Sequence, residues 1–491
     1  MKWGPWAYND SAAYVSMARN LYKGIGPVIV HSTGKISDVR EFPVFYPLLL
    51  SIMSFGESNL IGTIRILNTI LFSFSIILVS QLIYHVTNNH LISILGAAFF
   101  ASSKNILTTF SSAMSEPLFI SLVLTSYLQI FLYLRFKKEL FLFLFTIFSS
   151  LFPITRYAGI IVVVTFGISA FLLIKKKNLY SRILLLLKYY VISFTPVLGL
   201  MVYRYIKDNK LGGKRFKFSS LTFRAIFESV KKQLNIIADW IPYYTNYKNS
   251  IVGEGIIYLC LILIFISLFI LLLKRKIDSE KLIINKSVIL SLGLIFTGYT
   301  CFIAVIYVTS SPQIDIIDRM LIPMFPFLLL FLCVLFSNIL TKGFIKFSGI
   351  LITLLFLIAI RFNTLVSTPF VREMNEIGRG FTQKEYVQSD FLDEILSLPE
   401  NRLLVSNTAG FTLLHKNIYP IQISQFHHRP YGSGDSYGEK LFRTKDGILV
   451  ILYSDFYNYY GPDSKQLLEF ITANLSLVFS DDVGGIYSLK N

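Results

Sequence analysis

The feature that most constrains this chain is a series of about ten apolar runs, several of them roughly 18 residues or longer, separated by loops. Runs of that length cross a hydrocarbon core as helices. The spans expected from the pattern are 60–85, 89–107, 116–135, 138–152, 157–174, 183–203, 253–273, 286–307, 319–338 and 343–361, the fourth being short. Composition agrees. Of 491 residues 54% are hydrophobic and 15% charged, against about 25% charged in soluble domains. The fold class expected is an α-helical polytopic membrane protein.

The loops fall into two alternating kinds. One is short and mostly basic: Arg135, Lys137 and Lys138; Lys175, Lys176, Lys177 and Arg182; Lys274, Arg275 and Lys276; Lys342 and Lys346. The positive-inside rule places these in the cytoplasm. The same placement accounts for the net charge of +17 without nucleic acid, which is excluded as a partner. The other kind is longer, richer in aromatics and carries most loop carboxylates: 1–59, 108–116, 204–252, 308–318 and everything after Arg361. An even number of spans between the first and last of these puts both on one side, outside. Met1–Arg40 is polar and aromatic and does not read as a signal peptide. Cys260, Cys301 and Cys333 all fall in apolar segments and form no disulfide framework.

Ionisable residues near the spans, among them Arg65, Lys104, Lys188, Glu254, Arg319 and Arg361, lie at span ends. Ion-coupled transporters place carboxylates or histidines at the midplane, so a transporter or flippase of a lipid-linked sugar is the second reading. After Arg361 the pattern changes. Residues 381–398 read as an amphipathic helix, and 464–473 as another. Leu403–Val405, Ile448–Tyr453, Leu475–Phe479 and Ile486–Leu489 read as short strands. Such alternation implies a small α/β domain. The expected division is therefore 1–59, a first external loop with interfacial helices; 60–361, the membrane domain; and 362–491, a soluble extracytoplasmic domain.

Several residues each have a plain and a chemical reading. Asp10 precedes a helix, Ser11 to Leu21, and can serve as its N-cap. Pro43 and Pro47 flank aromatics before an apolar run too short to span, which reads as an interfacial helix. Glu116, before Pro117 at a helix start, can favour the helix dipole. Arg156 and Arg319, at span ends, can anchor to head groups. The basic, aromatic loop 204–252 can attract anionic head groups or guide an anionic substrate. His427-His428 reads as surface rather than metal ligands, and Gly432–Gly434 as a turn rather than a phosphate loop.

Taken in order, the motifs resemble a known family. An acidic residue before Ser-x-x-Tyr14, a helix ending Ala18-Arg-Asn-Leu21, and Phe42-Pro-x-x-Tyr46-Pro-Leu-Leu-Leu50 look like the first external loop of GT-C fold glycosyltransferases. That group includes protein O-mannosyltransferases and lipid A aminoarabinose transferases. Ser115-Glu-Pro-Leu-Phe119, Thr155-Arg-Tyr-Ala-Gly159, Asp318-Arg-Met-Leu-Ile-Pro323, Gly378-Arg-Gly380 and Ser406-Asn407 agree in order and expected side. The resemblance implies transfer of a sugar from a polyprenyl-phosphate donor to a hydroxyl of a lipid, glycan or protein acceptor, in a multi-pass inner-membrane protein with an extracytoplasmic active site. It assigns Asp10 as the catalytic base, Glu116 as a second, assisting catalytic carboxylate, and Arg156 and Arg319 to the donor phosphate. Tyr14, Glu41 and Tyr46 fall to substrate binding.

Two departures stand out. Family members carry a span before this loop, whereas here Met1 is followed directly by it, with Lys2, Arg19, Lys23, Lys35 and Arg40 opposing an N-outside start. The expectation is a chain beginning downstream of its true start, or a degenerate, non-catalytic copy. Glu41-Phe-Pro-Val44 also lacks the lysine of the aminoarabinose transferases' Glu-Lys-Pro-Pro. No cofactor and no tightly held zinc are expected, because histidines are sparse. A weak divalent ion shared with the donor phosphate is compatible with these residues.

Overall fold

The computed structural model describes residues 1–54, 60–174, 178–208, 215–216, 221–240, 280–311, 315–340, 345–423, 442, 446–461, 464–473 and 475–489. The expected span 253–273, His427-His428, Gly432–Gly434 and much of the basic loop 204–252 lie outside them. Two compact units emerge: residues 1–67, 111–114 and 372–491 form one, and residues 68–110 and 115–371 the other.

The second unit is a helical bundle. Among the described residues of the whole chain, six helices are long and apolar enough to cross a membrane: Leu60–Thr87, Glu116–Phe136, Leu179–Lys207, Ser287–Thr309, Asp318–Ser337 and Thr353–Glu376. A seventh results if His90–Ser102 and Lys104–Phe110, bent by 63°, form one broken span. Glu139–Thr155 and Gly159–Leu173 are shorter apolar helices. Glu116–Phe136 is central and buried along most of its length. Leu179–Asp208 instead exposes Leu187, Val191, Leu198 and Val202. A surface that apolar on a helix that long needs lipid to cover it. Between helices, hydroxyls meet in pairs: Ser75 Oγ with Ser121 Oγ at 2.8 Å, Ser126 Oγ with Ser149 Oγ at 2.8 Å, and Tyr127 Oη with Ser291 Oγ at 2.9 Å. Apolar side chains gain little by leaving lipid for one another, so small residues and hydrogen bonds supply the cohesion.

Two segments depart most from expectation. The last long helix runs Ile345–Glu376 rather than ending at Arg361. Arg361 interrupts the apolar pattern but breaks no backbone hydrogen bond, and Pro369 is accommodated inside the helix. Within the expected loop 204–252, Phe223–Ala238 is helical, started by Thr222, whose side chain accepts from the Ala225 N–H at 3.2 Å. It buries Ser229 and Gln233 and leaves Phe223 and Phe227 outside. A helix that buries small and polar residues escapes a search for buried apolar stripes.

The first unit joins the two ends of the sequence. Its sheet has five strands in the order Ile421–Gln422, Leu404–Ser406, Ile448–Leu452, Gly484–Leu489, Leu475–Ser480. The first three are parallel and the last two pair antiparallel. Ile448–Leu452 is buried at every position, which is why a central strand covered on both faces reads as an unbroken apolar run. Sequence pattern located four of the strands and missed the two-residue one. The expected helix 381–398 is two pieces, Lys384–Val387 and Asp390–Ser397. Ser389 breaks it, because its hydroxyl accepts from the Leu392 N–H at 3.2 Å and restarts the helix as an N-cap.

A hairpin of Val28–Val30 and Ile36–Asp38 extends this unit. Tyr419 N–H donates to Val30 O and Ser32 N–H to Tyr419 O, each at 2.9 Å. The Ser32 hydroxyl donates to Leu404 O at 3.0 Å. Segments nearly 400 residues apart are thus hydrogen-bonded together, so the N-terminal loop and the C-terminal domain share one side of any membrane.

Candidate functional site

Asp10 lies in the first turn of the helix Asn9–Tyr22, whose N-cap is Tyr8 with no side-chain capping bond. The plain reading of Asp10 as N-cap is therefore corrected: the helix starts two residues earlier than the sequence implied. Asp10 itself is partly exposed, while Ser11 to Ala18 behind it are all buried. The helix is held at both ends. Ahead of it, Trp6 N–H donates to Ser111 O at 2.7 Å and Ala113 N–H to Trp6 O at 2.9 Å. On the other side, Phe381 N–H donates to Ala7 O at 2.9 Å, and the Thr382 hydroxyl to Pro5 O at 2.6 Å. At its far end Arg19 donates to Leu414 O, and the Asn20 amide to Val28 O at 2.7 Å. A carboxylate on so constrained a helix has little freedom to move, which is what proton transfer in a transition state requires.

The motif Gly378-Arg-Gly380 turns out to be part of this clamp. Gly380 adopts φ +65°, and a Cβ there would fall 2.1 Å from Ala7 O. Arg379 stacks over the Trp6 ring at 5.2 Å and grips Glu373. Of the residues expected to bind substrate, Tyr14 is 3% and Tyr46 0% exposed, and their rings meet edge to face at 5.3 Å. Phe42 packs on Tyr14 at 4.9 Å. Both tyrosines belong to the packing that holds the Asp10 helix, and Glu41 is exposed.

In the other unit, Glu116 and Arg156 come together. Glu116 is the first residue of its helix, 1% exposed, and Arg156 Nη1 lies 2.5 Å from its Oε1. The approach is off the line of a good hydrogen bond: among the described residues, neither oxygen of Glu116 completes one. The same Nη1 reaches Ser115 Oγ at 3.4 Å. Next along the chain, the Tyr157 hydroxyl accepts from Arg204, itself 6% exposed. Tyr299 is within electrostatic reach of both Arg156 and Glu116, and its hydroxyl donates to Met320 O at 2.8 Å. Tyr157 stood inside the Thr155–Gly159 motif without a role of its own, and Arg204 and Tyr299 were not singled out by the sequence. Arg204 counted only as one of many basic loop residues, and nothing in the local pattern marked it as buried.

Arg319 lies on the four-residue turn Asp318–Leu321, partly exposed. Its neighbour Asp318 accepts from Trp240 Nε1 at 2.7 Å. Among the described residues, no three of His, Cys, Asp and Glu gather into a group able to hold a metal ion.

Beside the Asp10 helix, His415 gives this unit a pH dependence. Its Nε2–H donates to Phe381 O at 2.9 Å, and its ring packs on Phe411 at 4.8 Å. Loss of water around the ring lowers its pKa to about 4; the Phe381 bond opposes this, and the nearby Arg19 adds a smaller downward push. The unfolded chain, with an ordinary pKa near 6.5, binds the proton first, so stability falls with pH below about 6.5 and levels off near pH 4. The expected loss between pH 7 and pH 5 is about 1–2 kcal/mol from this group. Hydrogen-exchange protection factors over 409–416 should fall accordingly, and His415→Gln, which keeps a donor but does not titrate, should flatten the profile. An unchanged slope in that variant would assign the effect elsewhere.

The sequence matches no family model and no curated protein. Solved structures do match. The Archaeoglobus fulgidus oligosaccharyltransferase in its apo form aligns at TM-score 0.54 and 12% identity, over 94% of this chain and 68% of that one. ArnT from Cupriavidus metallidurans bound to undecaprenyl phosphate aligns at TM-score 0.53 and 10% identity, over 99% of this chain and 94% of that one. Its apo form gives TM-score 0.52. The chain has the GT-C fold of these membrane proteins, with a helical membrane part and a C-terminal mixed sheet.

Proposed function

We propose that this GT-C fold protein is a glycosyltransferase that moves a sugar from a polyprenyl-phosphate donor to an acceptor hydroxyl at the extracytoplasmic membrane surface. The observation that carries the reading is the fold itself, shared over nearly the whole chain with an oligosaccharyltransferase and with a protein crystallised with undecaprenyl phosphate. Fold alone leaves function open, and the residues add to it. Asp10 is a partly exposed carboxylate on an over-determined helix, and Arg156 supplies positive charge beside a buried acid.

In the proposed reaction, Asp10 accepts the proton as the acceptor oxygen attacks the anomeric carbon. The bond from that carbon to the phosphate oxygen breaks. The oxygen leaves with the electron pair as polyprenyl phosphate, and attack opposite the leaving group inverts the anomeric centre. Arg156, with Arg319 or the basic loop, stabilises the charge that develops on the phosphate. A weakly held divalent ion would act at the same phosphate.

The test is a turnover assay on the whole protein in detergent or liposomes. Polyprenyl-phosphate sugars would be supplied with lipid, glycan and peptide acceptors, and release of polyprenyl phosphate followed. Release that depends on acceptor is the expected result. Transbilayer movement of the intact donor without bond cleavage would replace this reading with a flippase.

A further inference from the structure

Two of the arginine–glutamate pairs among the described residues are built in different ways. Arg379 grips Glu373 with two parallel hydrogen bonds, Nε to Oε1 and Nη2 to Oε2, both 2.6 Å long, on a partly exposed surface. Arg156 brings a single nitrogen to 2.5 Å from Glu116 Oε1, and neither oxygen of that carboxylate completes a hydrogen bond among the described residues. Glu116 is nonetheless 1% exposed. A buried carboxylate is costly unless it is both paired and hydrogen-bonded. Here charge is balanced while acceptor capacity stays unused, and Ser115 Oγ competes for the same arginine nitrogen at 3.4 Å. A pair held by charge without the bidentate fork is one that a better partner can open. Phosphate is such a partner, because its oxygens match the guanidinium fork.

We propose that Glu116 is a resident counter-ion which the donor phosphate displaces from Arg156. Glu116 then acts through Arg156, as a positioning residue, and does not touch the reacting atoms. The inference rests on the reading of the donor as a polyprenyl-phosphate sugar. A release step follows from the charges. The donor phosphate is a diester with one negative charge, and the product is a monoester carrying up to two. Arg156 alone would hold product more tightly than donor. Return of Glu116 to Arg156 expels the product and resets the site.

The experiment measures binding of undecaprenyl phosphate to the whole protein in detergent micelles, with inorganic phosphate as a second probe. Glu116→Gln removes the competitor and should tighten undecaprenyl phosphate binding about tenfold. It should also lower kcat without raising KM, since release becomes limiting. Arg156→Gln should weaken binding about tenfold or more, and adding Glu116→Gln to it should then change nothing. A merely structural role for Glu116 would not tighten binding. If micromolar undecaprenyl phosphate binds and millimolar inorganic phosphate does not compete, the lipid contributes to recognition; competition would show that the phosphate group suffices. Either result is read at the same Glu116 dependence. Should Glu116→Gln fail to fold, Glu116→Asp keeps the charge but draws it back by one methylene, and should tighten binding about threefold. Unchanged or weaker binding in whichever folded variant is measured overturns the counter-ion role and leaves the donor reading standing. No binding by the wild-type protein would instead sink the donor reading and the inference with it.

Discussion

Asp10→Asn should reduce turnover by about 100- to 10,000-fold, the range for loss of a general base. The structure sharpens this test. Had Asp10 been the N-cap, Asn would have replaced it with little loss, and a small effect would have meant only that capping was preserved. Tyr8 holds the capping position instead, and Asp10 lies inside the first turn. What Asn forfeits structurally is the favourable interaction of a carboxylate with the helix N-terminus, about 0.3–1 kcal/mol. Thermal stability should therefore move by a degree or two while kcat collapses. Asp10→Glu, with the carboxylate one methylene further out, should recover part of the rate. Turnover of Asp10→Asn within tenfold of wild type would remove Asp10 from the chemistry.

Gly380→Ala should destabilise the N- and C-terminal unit by about 3 kcal/mol, a size reached only by a short list of mechanisms, backbone strain and overpacking among them. Two effects add. An L residue at φ +65° costs about 1–2 kcal/mol on its own. The new Cβ would also lie 2.1 Å from Ala7 O and 2.9 Å from Trp6 Cδ1. The first of these is backbone, which no rotamer change relieves. The segment Pro5–Ala7 has to move, which breaks the Phe381 N–H to Ala7 O bond three residues from Asp10. Turnover should fall with stability. Gly24→Ala is the matched control, since Gly24 has φ +72° with nothing within 4 Å of its would-be Cβ. It should show the conformational cost alone. Thermal unfolding of both variants in detergent, with proteolysis of the 372–423 region, would read the difference; equal losses would mean that the clamp is not what Gly380 serves.

The sequence by itself determined the membrane class, most span positions and the strand–helix alternation of the C-terminal domain. All three rest on periodicity and run length, which are local. Ile448–Leu452 is the clearest example, because an apolar run too short to span and bounded by Gly447 and polar residues reads as a buried strand. The sequence also singled out Asp10, Glu116, Arg156 and Gly378-Arg-Gly380, through the order of motifs that resemble a known family rather than through periodicity. What each residue does was not local. Tertiary structure alone decided that residues 1–67 and 372–491 are one unit and that Gly380 is the backstop for Ala7. It alone decided that Tyr14 and Tyr46 pack against each other, and that Glu116 and Arg156, 40 residues apart, share a charge. Pairing energy depends on distance and desolvation, and both are set by how helices from distant parts of the chain come to rest. A sequence pattern records which residues leave water, and only the packed fold determines what they meet when they do.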